Sequence, residues 1–244
     1  MRNLLLPILI TTFFILGCGG ELVHNEESPN IKEFEGTLIY KGELYSGKYI
    51  RYWDDGSLTK VKQRGSYKDG FRHGEWEWYY ENGQIRHKNS FINGKPVDGI
   101  YIEYYENGQL SEIGSFLNGK KNGVWEEYYS NGQLDSRGSY LNGEKNGDWD
   151  IYLSNGKLKR KISFLNGNWN GDWVEYYDNG ELSEMGSYLN GNRNGDWVEY
   201  YDNGQLKRVG SYLNGKRSGI WEYYNEDGSL ERTHTIRTQP PPPF

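Results

Sequence analysis

A chain of 244 residues with 33 glycines, 22 tyrosines and nine tryptophans, and with few Leu, Ile and Val beyond its N-terminus, cannot fill an ordinary aliphatic two-layer core. Aromatic side chains must carry the burial, since each hides a large area and tolerates a wet edge. The net charge of −6 with no basic stripe argues against nucleic acid as a partner, and a single cysteine excludes an intrachain disulfide framework or a cysteine metal site.

In chain order, residues 1–17 read as a signal peptide. Arg2 supplies a short positive start, and residues 4–16 form an apolar run interrupted by Pro7, Thr11 and Thr12. The run is shorter than the about 20 residues a membrane-spanning helix needs and fits a secretory h-region. It ends in Ile15-Leu16-Gly17-Cys18, which resembles the lipobox of bacterial lipoproteins. That resemblance implies cleavage before Cys18 and lipid attachment to its thiol, so that an exported chain is anchored to a bacterial membrane. Two or three acyl chains hold firmly where one does not, at ~0.8 kcal/mol per CH₂. Residues 18–35 are expected to be a tether between anchor and folded array.

Internal repetition occupies residues 36–232. Gly99, Gly123, Gly147, Gly171, Gly195 and Gly219 are each 24 residues apart, Gly74 precedes Gly99 by 25, and Gly47 precedes Gly74 by 27. Eight units result, with looser terminal ones acting as caps. Each holds a strand, a turn and a second strand. Asn131-Gly132, Asn179-Gly180 and Asn203-Gly204, with Asp55-Gly56 and Asp227-Gly228 in the terminal units, carry the chemistry of two-residue type I′ hairpins, whose central residues both need φ > 0. The second Asn-Gly pairs, at 118–119, 142–143, 166–167, 190–191 and 214–215, precede polar residues and a further Gly, and read as longer loops. The expected fold is all-β, an elongated antiparallel meander of tandem hairpin repeats. A Pro-rich tail over 233–244 is not expected to extend the sheet.

A two-residue turn at Asn179-Gly180 sets a register. Tyr177 then faces Leu182, Tyr176 faces Ser183, Glu175 faces Glu184, Val174 faces Met185 and Trp173 faces Gly186. The same counting sets Trp125 against Gly138, Tyr129 against Leu134, Trp197 against Gly210 and Tyr201 against Leu206. The repeated Trp thus opposes the repeated Gly, whose bare backbone its ring can cover. Glu77 with Lys88, Glu126 with Arg137, Asp150 with Lys161 and Glu199 with Arg208 make opposite-charge pairs, whereas Glu175 against Glu184 is a like-charge pair that counting does not explain. Alternation places Trp173, Tyr177, Leu182 and Tyr188 on one face, taken as the core side, and Val174, Tyr176, Met185 and Leu189 on the other. Tyr128, Tyr176, Tyr200 and Tyr224 lie on that second face, have no packing role in this scheme, and form the candidate binding surface.

The run Gly-x-Trp-x-x-Tyr-Tyr-x-Asn-Gly-x-Leu followed by Gly-Ser-Tyr-Leu-Asn-Gly, as in 171–191, resembles the MORN repeat in its bacterial variant form. The resemblance covers about residues 36–232. It implies an antiparallel sheet that binds proteins, with phospholipids also proposed as ligands of such arrays. Bacterial chains of this pattern are also grouped with the YwqK-like antitoxins, which implies an alternative immunity role neutralising a toxin. Export by the lipobox argues against that alternative, because it separates the chain from a cytoplasmic toxin.

No catalytic constellation stands out. His24, His73, His87 and His234 have no recurrent partner, and no CxxC, HExxH, Walker or GxGxxG motif occurs. Glu127, Glu175 and Glu199 recur at one repeat position and Asp148, Asp172 and Asp196 at another. Stacked acids could hold calcium, but the dense ligand loops of calcium repeats are missing, and a solvated edge is the favoured reading. No metal and no cofactor are expected. The function expected is a membrane-anchored, non-catalytic lipoprotein whose array docks or scaffolds another protein at the cell envelope. Binding of a cell-wall or other envelope polysaccharide by the aromatic rows is the alternative.

Overall fold

The computed structural model describes residues 21–24, 30–34, 36–54 and 59–236. Cys18, the segment read as a signal peptide, Asp55-Gly56 and the prolines of the tail lie outside the described residues. The described residues are all strand, turn and connection, with no helix among them, and divide into two compact units, Met1–Val97 and Asp98–Phe244.

Hairpins in tandem build each unit. In the N-terminal unit Gly47–Tyr52 pairs with Val61–Lys68, and Phe71–Tyr79 pairs with Ile85–Ile92. In the C-terminal unit the meander begins with Gly99–Tyr104 and Leu110–Leu117, repeats the hairpin through Asn168–Tyr176 and Leu182–Leu189, and ends with Lys216–Tyr224 and Leu230–Ile236. All eight expected hairpins are present, antiparallel within each hairpin and, inside each unit, between neighbouring hairpins.

The two turns of each repeat exchange their expected types. At Asn179-Gly180 only the glycine has positive φ, at 97°. Gly180 N–H donates to Tyr177 C=O at 2.9 Å, and Tyr177 N–H donates to Glu181 C=O at 2.8 Å. This is a three-residue loop, a tight turn closed by a left-handed glycine. The two-residue type I′ turns are the other Asn-Gly pairs: Asn190 and Gly191 have φ of 50° and 79°, and Leu189 pairs with Asn192. An Asn-Gly dipeptide suits either turn, because Asn tolerates both signs of φ. At the three-residue loop Asn179 keeps negative φ and uses its side chain, whose Oδ1 accepts Glu181 N–H at 2.9 Å.

The register survives this exchange by cancellation. The longer loop shifts Tyr176 onto Leu182, not Ser183, and a bulge at Ser183 restores Glu175 to Glu184, Val174 to Met185 and Trp173 to Gly186. Trp125 therefore opposes Gly138 and Trp197 opposes Gly210 as expected, while Leu134 opposes Tyr128 and Leu206 opposes Tyr200, displacing the expected Tyr129 and Tyr201. All four predicted charge pairs form, as with Asp150–Lys161 at 3.1 Å and Glu126–Arg137 at 3.3 Å.

Strands also occupy segments read as tether and tail. Within 18–35, Glu21–His24 pairs in parallel with Gly47–Tyr52, and Ile31–Phe34 pairs with Thr37–Tyr40, which in turn pairs with Glu43–Leu44. The last three strands make a small second sheet. Leu38 N–H donates to Gly70 C=O at 2.7 Å, Gly70 N–H donates to Tyr45 C=O at 2.8 Å, and Ile31 and Leu38 join Tyr49, Tyr67, Trp76 and Phe91 in one buried cluster. These short strands carry no repeat signature, and their apolar residues gain a partner only when the layers meet. At the other end the final strand reaches Ile236, so residues 233–236 belong to the array and His234 opposes Trp221.

Candidate functional site

The Trp face is built from repeat-to-repeat contacts. Trp125, Trp149, Trp197 and Trp221 are all essentially inaccessible, as is Trp76 in the N-terminal unit. The ring that covers each glycine is not that of its hairpin partner, as counting implied, but that of the next hairpin. A methyl group placed on Gly138 would lie 2.2 Å from Trp149 Cδ2, on Gly186 2.0 Å from Trp197 Cε3, and on Gly210 2.3 Å from Trp221 Cδ2. The indole N–H fixes this direction: Trp125 Nε1 donates to Ser115 C=O and Trp149 Nε1 to Ser139 C=O, both at 3.1 Å, ten residues upstream. Each Trp therefore joins two repeats, which is how a chain of hairpins becomes one sheet.

One repeat departs from this plan. Ile162 stands where the glycine should be, opposite Trp173 on the adjoining strand. Trp173 Nε1 donates to Glu184 Oε1 at 3.0 Å, and Trp197 Nε1, although it lies over Gly186, shares that carboxylate at 3.4 Å.

Cations close the outer surface of the Trp row, a feature the sequence reading missed. Lys121 lies 3.9 Å from the Trp125 ring centroid, Lys145 3.8 Å from Trp149, Arg193 4.1 Å from Trp197 and Arg217 4.5 Å from Trp221. The signal was present as Lys or Arg four residues before the Trp, a position whose stem can lie along the ring while its charge meets the ring face. Trp169 takes that position in one repeat, 5.1 Å from Trp173, and Arg160 covers Trp173 at 4.6 Å. Burial lowers the pKa of Lys145, with Lys121 adding to the effect and Glu127 opposing it.

A row of charges crosses the same face from strand to strand. Arg160, Glu175, Glu184, Glu199 and Arg208 are successive register partners. Arg160 pairs with Glu175 and Arg208 with Glu199, each at 2.5 Å. Glu184 accepts the indole N–H groups of Trp173 and Trp197, and Arg193 stands 3.6 Å away. The like-charge pair Glu175–Glu184 is thus compensated on each side.

The second tyrosine of each repeat is structural. Tyr105, Tyr129, Tyr177 and Tyr201 donate their hydroxyls to the backbone carbonyls of Tyr128, Tyr152, Tyr200 and Tyr224, at 2.6 to 2.9 Å. Beside them Asn131 and Asn179 donate to the carbonyls of Ser154 and Asp202 in the next turn, at 2.7 and 2.8 Å. Leu153 interrupts the tyrosine row, and there Lys157 Nζ reaches the Asp178 carbonyl at 3.0 Å.

The candidate tyrosines Tyr128, Tyr176, Tyr200 and Tyr224 lie half-buried on the opposite, outer face. Tyr128 donates to Glu126 Oε2 at 2.6 Å and Tyr224 to Glu222 Oε2 at 2.7 Å, so two of the four have a polar partner. That hydrogen bond, followed by burial, pushes the Tyr128 hydroxyl up to about 12. Around the row the outer face exposes Val124, Leu141, Met185, Leu189, Leu213 and Ile220. Asp148 and Asp196 accept the hydroxyls of Ser163 and Ser211 at 2.6 and 2.8 Å. Among the described residues no three His, Cys, Asp or Glu side chains are grouped to hold a metal ion.

Six consecutive segments, 72–93, 97–118, 121–142, 145–166, 169–190 and 193–214, match the family described as MORN repeat variant, and together they cover more than half of the chain. Each segment runs from the position that covers the Trp, or its neighbour, to the first residue of the type I′ turn, so the family's repeat is one hairpin of the structure. No curated protein matches the sequence. Solved structures similar to the chain include a TcdB2-TccC3 crystal structure, at 13% identity over 77% of this chain and 13% of that one with a TM-score of 0.21. A Photorhabdus luminescens Tc holotoxin pore is similar at 13% identity over 76% of this chain and 12% of that one, again with a TM-score of 0.21. The chain therefore spans about an eighth of those chains' length, and at such scores the likeness carries no functional argument.

Proposed function

We propose that this chain, which belongs to the MORN repeat variant family, is a non-catalytic binding module. It docks another protein on the outer face of its C-terminal unit and is held on a bacterial membrane through lipid on Cys18. The observation that carries the docking reading is the contrast between the two faces. From Trp125 to Trp197 the Trp side chains, their cations and the Glu row cover one another on one face, while the outer face presents half-buried tyrosines beside exposed Val124, Met185, Leu189 and Ile220. Aromatic rings set among accessible apolar side chains are the composition of contact surfaces. The anchor rests on the lipobox-like residues 15–18.

Photo-crosslinking amino acids at positions 176 and 200, activated in intact cells, test the docking surface. The expected result is one dominant adduct that Tyr128→Ala and Tyr224→Ala together reduce. Adducts that are absent, or unchanged in that double variant, would overturn it. For the anchor, Cys18→Ala should move the chain from the detergent phase to the aqueous phase, and a variant that stays in detergent would refute lipidation.

A further inference from the structure

The last repeat lacks a carboxylate that its neighbours use. Glu184 stands 11 residues after Trp173 and 13 before Trp197, and it accepts both indole N–H groups, at 3.0 and 3.4 Å, with Arg193 at 3.6 Å. For Trp221 the residue 13 before is Arg208 and the residue 11 after is Arg232. Both places that could offer a carboxylate hold a guanidinium. The indole N–H of Trp221 is fully buried and has no acceptor among the described residues, and Arg208 Nε is likewise buried without one.

The cations collected there exceed the acids. Arg208, Tyr223 and Arg232 are successive register partners, and Arg217 covers the Trp221 ring at 4.5 Å. Arg217 donates to the Tyr223 hydroxyl at 3.1 Å, and Arg232 lies 4.5 Å from the Tyr223 ring centroid. Among the described residues only Arg208 is ion-paired to a carboxylate on this face, Glu199, which Arg217 feels at longer range; Arg232 pairs with its sequence neighbour Glu231 at 3.5 Å, half-exposed. Burial opposes it, but donation from Arg217 and Arg193 lowers the pKa of Tyr212 beside the group, the direction expected where positive charge is in excess.

We infer that Arg208, Arg217 and Arg232, around Trp221, form a docking site for an acidic peptide segment of a partner protein, one carboxylate of which takes the place that Glu184 fills internally. A peptide is the occupant because the group it replaces is a glutamate side chain on an extended strand. Guanidinium donors paired to carboxylate are the stronger class of hydrogen bond, and three of them converge here. This contact lies on the Trp face and is separate from the outer-face docking, on which it relies only for the partner being a protein. Failure of the outer-face crosslinks therefore leaves it standing, and its own failure leaves the outer face standing.

The test uses the full chain and a fluorescein-labelled hexaglutamate peptide, with anisotropy for affinity and the Trp221 indole ¹⁵N–H resonance for location. The peptide should bind at low salt and shift that resonance. Arg217→Gln with Arg232→Gln should weaken binding at least about tenfold, the scale of losing charge-assisted hydrogen bonds. Arg208→Glu rebuilds the Glu184 arrangement; it should abolish binding and shift the Trp221 indole resonance without peptide. Arg137→Gln on the outer face should change neither readout. Equal affinity in the arginine variants, a Trp221 resonance that does not respond, or tighter binding of polygalacturonate than of the peptide would each overturn the proposal.

Discussion

The two units bury the same tryptophan in different ways. In the N-terminal unit Trp76 keeps a cation four residues upstream, Arg72 at 4.8 Å, but lies in addition beneath a second layer, where Ile31 and Leu38 from the small three-stranded sheet join its cluster. In the C-terminal unit, among the described residues, the cover over Trp125 and Trp149 comes from the sheet's own side chains, the lysines four residues upstream and the aromatic rings of the next strand. Trp76 and Trp125 are nonetheless equally inaccessible. A single sheet can therefore make a dry row without a second layer, provided that long cationic stems lie along the rings and keep their charges at the rim. The cost is that burial in the C-terminal unit depends on many half-exposed contacts between neighbouring repeats, whereas the N-terminal unit depends on one closed cluster.

The largest expected effect breaks the N-terminal side of this contrast. Leu38→Asp would bury an unpaired carboxylate between the layers and cost about 3–5 kcal/mol. Hydrogen exchange should show protection lost across residues 36–97 and retained across 98–236; uniform loss would show that the units do not differ in this way. In the C-terminal unit Gly186→Ala forces a methyl group to 2.0 Å from Trp197 Cε3. The expected cost is about 1–3 kcal/mol in urea denaturation, the range for overpacking a filled site. Its complement is Ile162→Gly, which should let the Trp173 ring settle over residue 162 as Trp149 does over Gly138, visible as a shift of its indole resonance. Lys145→Ala removes a stem and a charge 3.8 Å from Trp149 and should cost about 1–2 kcal/mol. No change in thermal stability there would show that the cations are ornament and not cover.

Smaller effects test the coupling between repeats and the charge chemistry of the N-terminal unit. Tyr177→Phe deletes the 2.8 Å hydrogen bond to the Tyr200 carbonyl and should cost about 0.5–1.5 kcal/mol. Leu153→Tyr should add the missing bond to the tyrosine row and stabilise by a similar amount, measured as a rise in thermal midpoint. Glu77 loses some solvation by burial, which raises its pKa, but hydrogen bonds from Lys88, Tyr79 and Arg64 outweigh this and hold it at about 2 against the usual 4.5. A carboxylate lowered in the folded state contributes stability fully above its unfolded pKa and loses it as pH falls from about 4.5 towards 2. Glu77→Gln should flatten the stability of the N-terminal unit across that window, and an unchanged acid slope would remove Glu77 as its cause.

Residue spacing by itself determined the all-β class, the eight hairpins, the identity of the buried face, the Trp–Gly register and four ion pairs. These are properties of counting along one hairpin, where side chains alternate with a period of two and a loop of defined length sets who faces whom. The candidate tyrosines were legible as outer-face residues for the same reason. The tertiary structure decided what lies beyond one hairpin. Every inner strand has two neighbours, and counting within a hairpin names only one of them. The indole of Trp197 leans to the other and covers Gly186, not its register partner Gly210. The two Asn-Gly turns exchanged types because the dipeptide suits both, and only the backbone path of the flanking strands separates them. The small second sheet was hidden in a segment without repeats, since Ile31 and Leu38 acquire a role only when Tyr49 and Trp76 lie beneath them. The arginine group around Trp221 emerged in the same way: each residue is ordinary in the sequence, and the missing carboxylate becomes visible only when adjacent repeats are laid strand against strand.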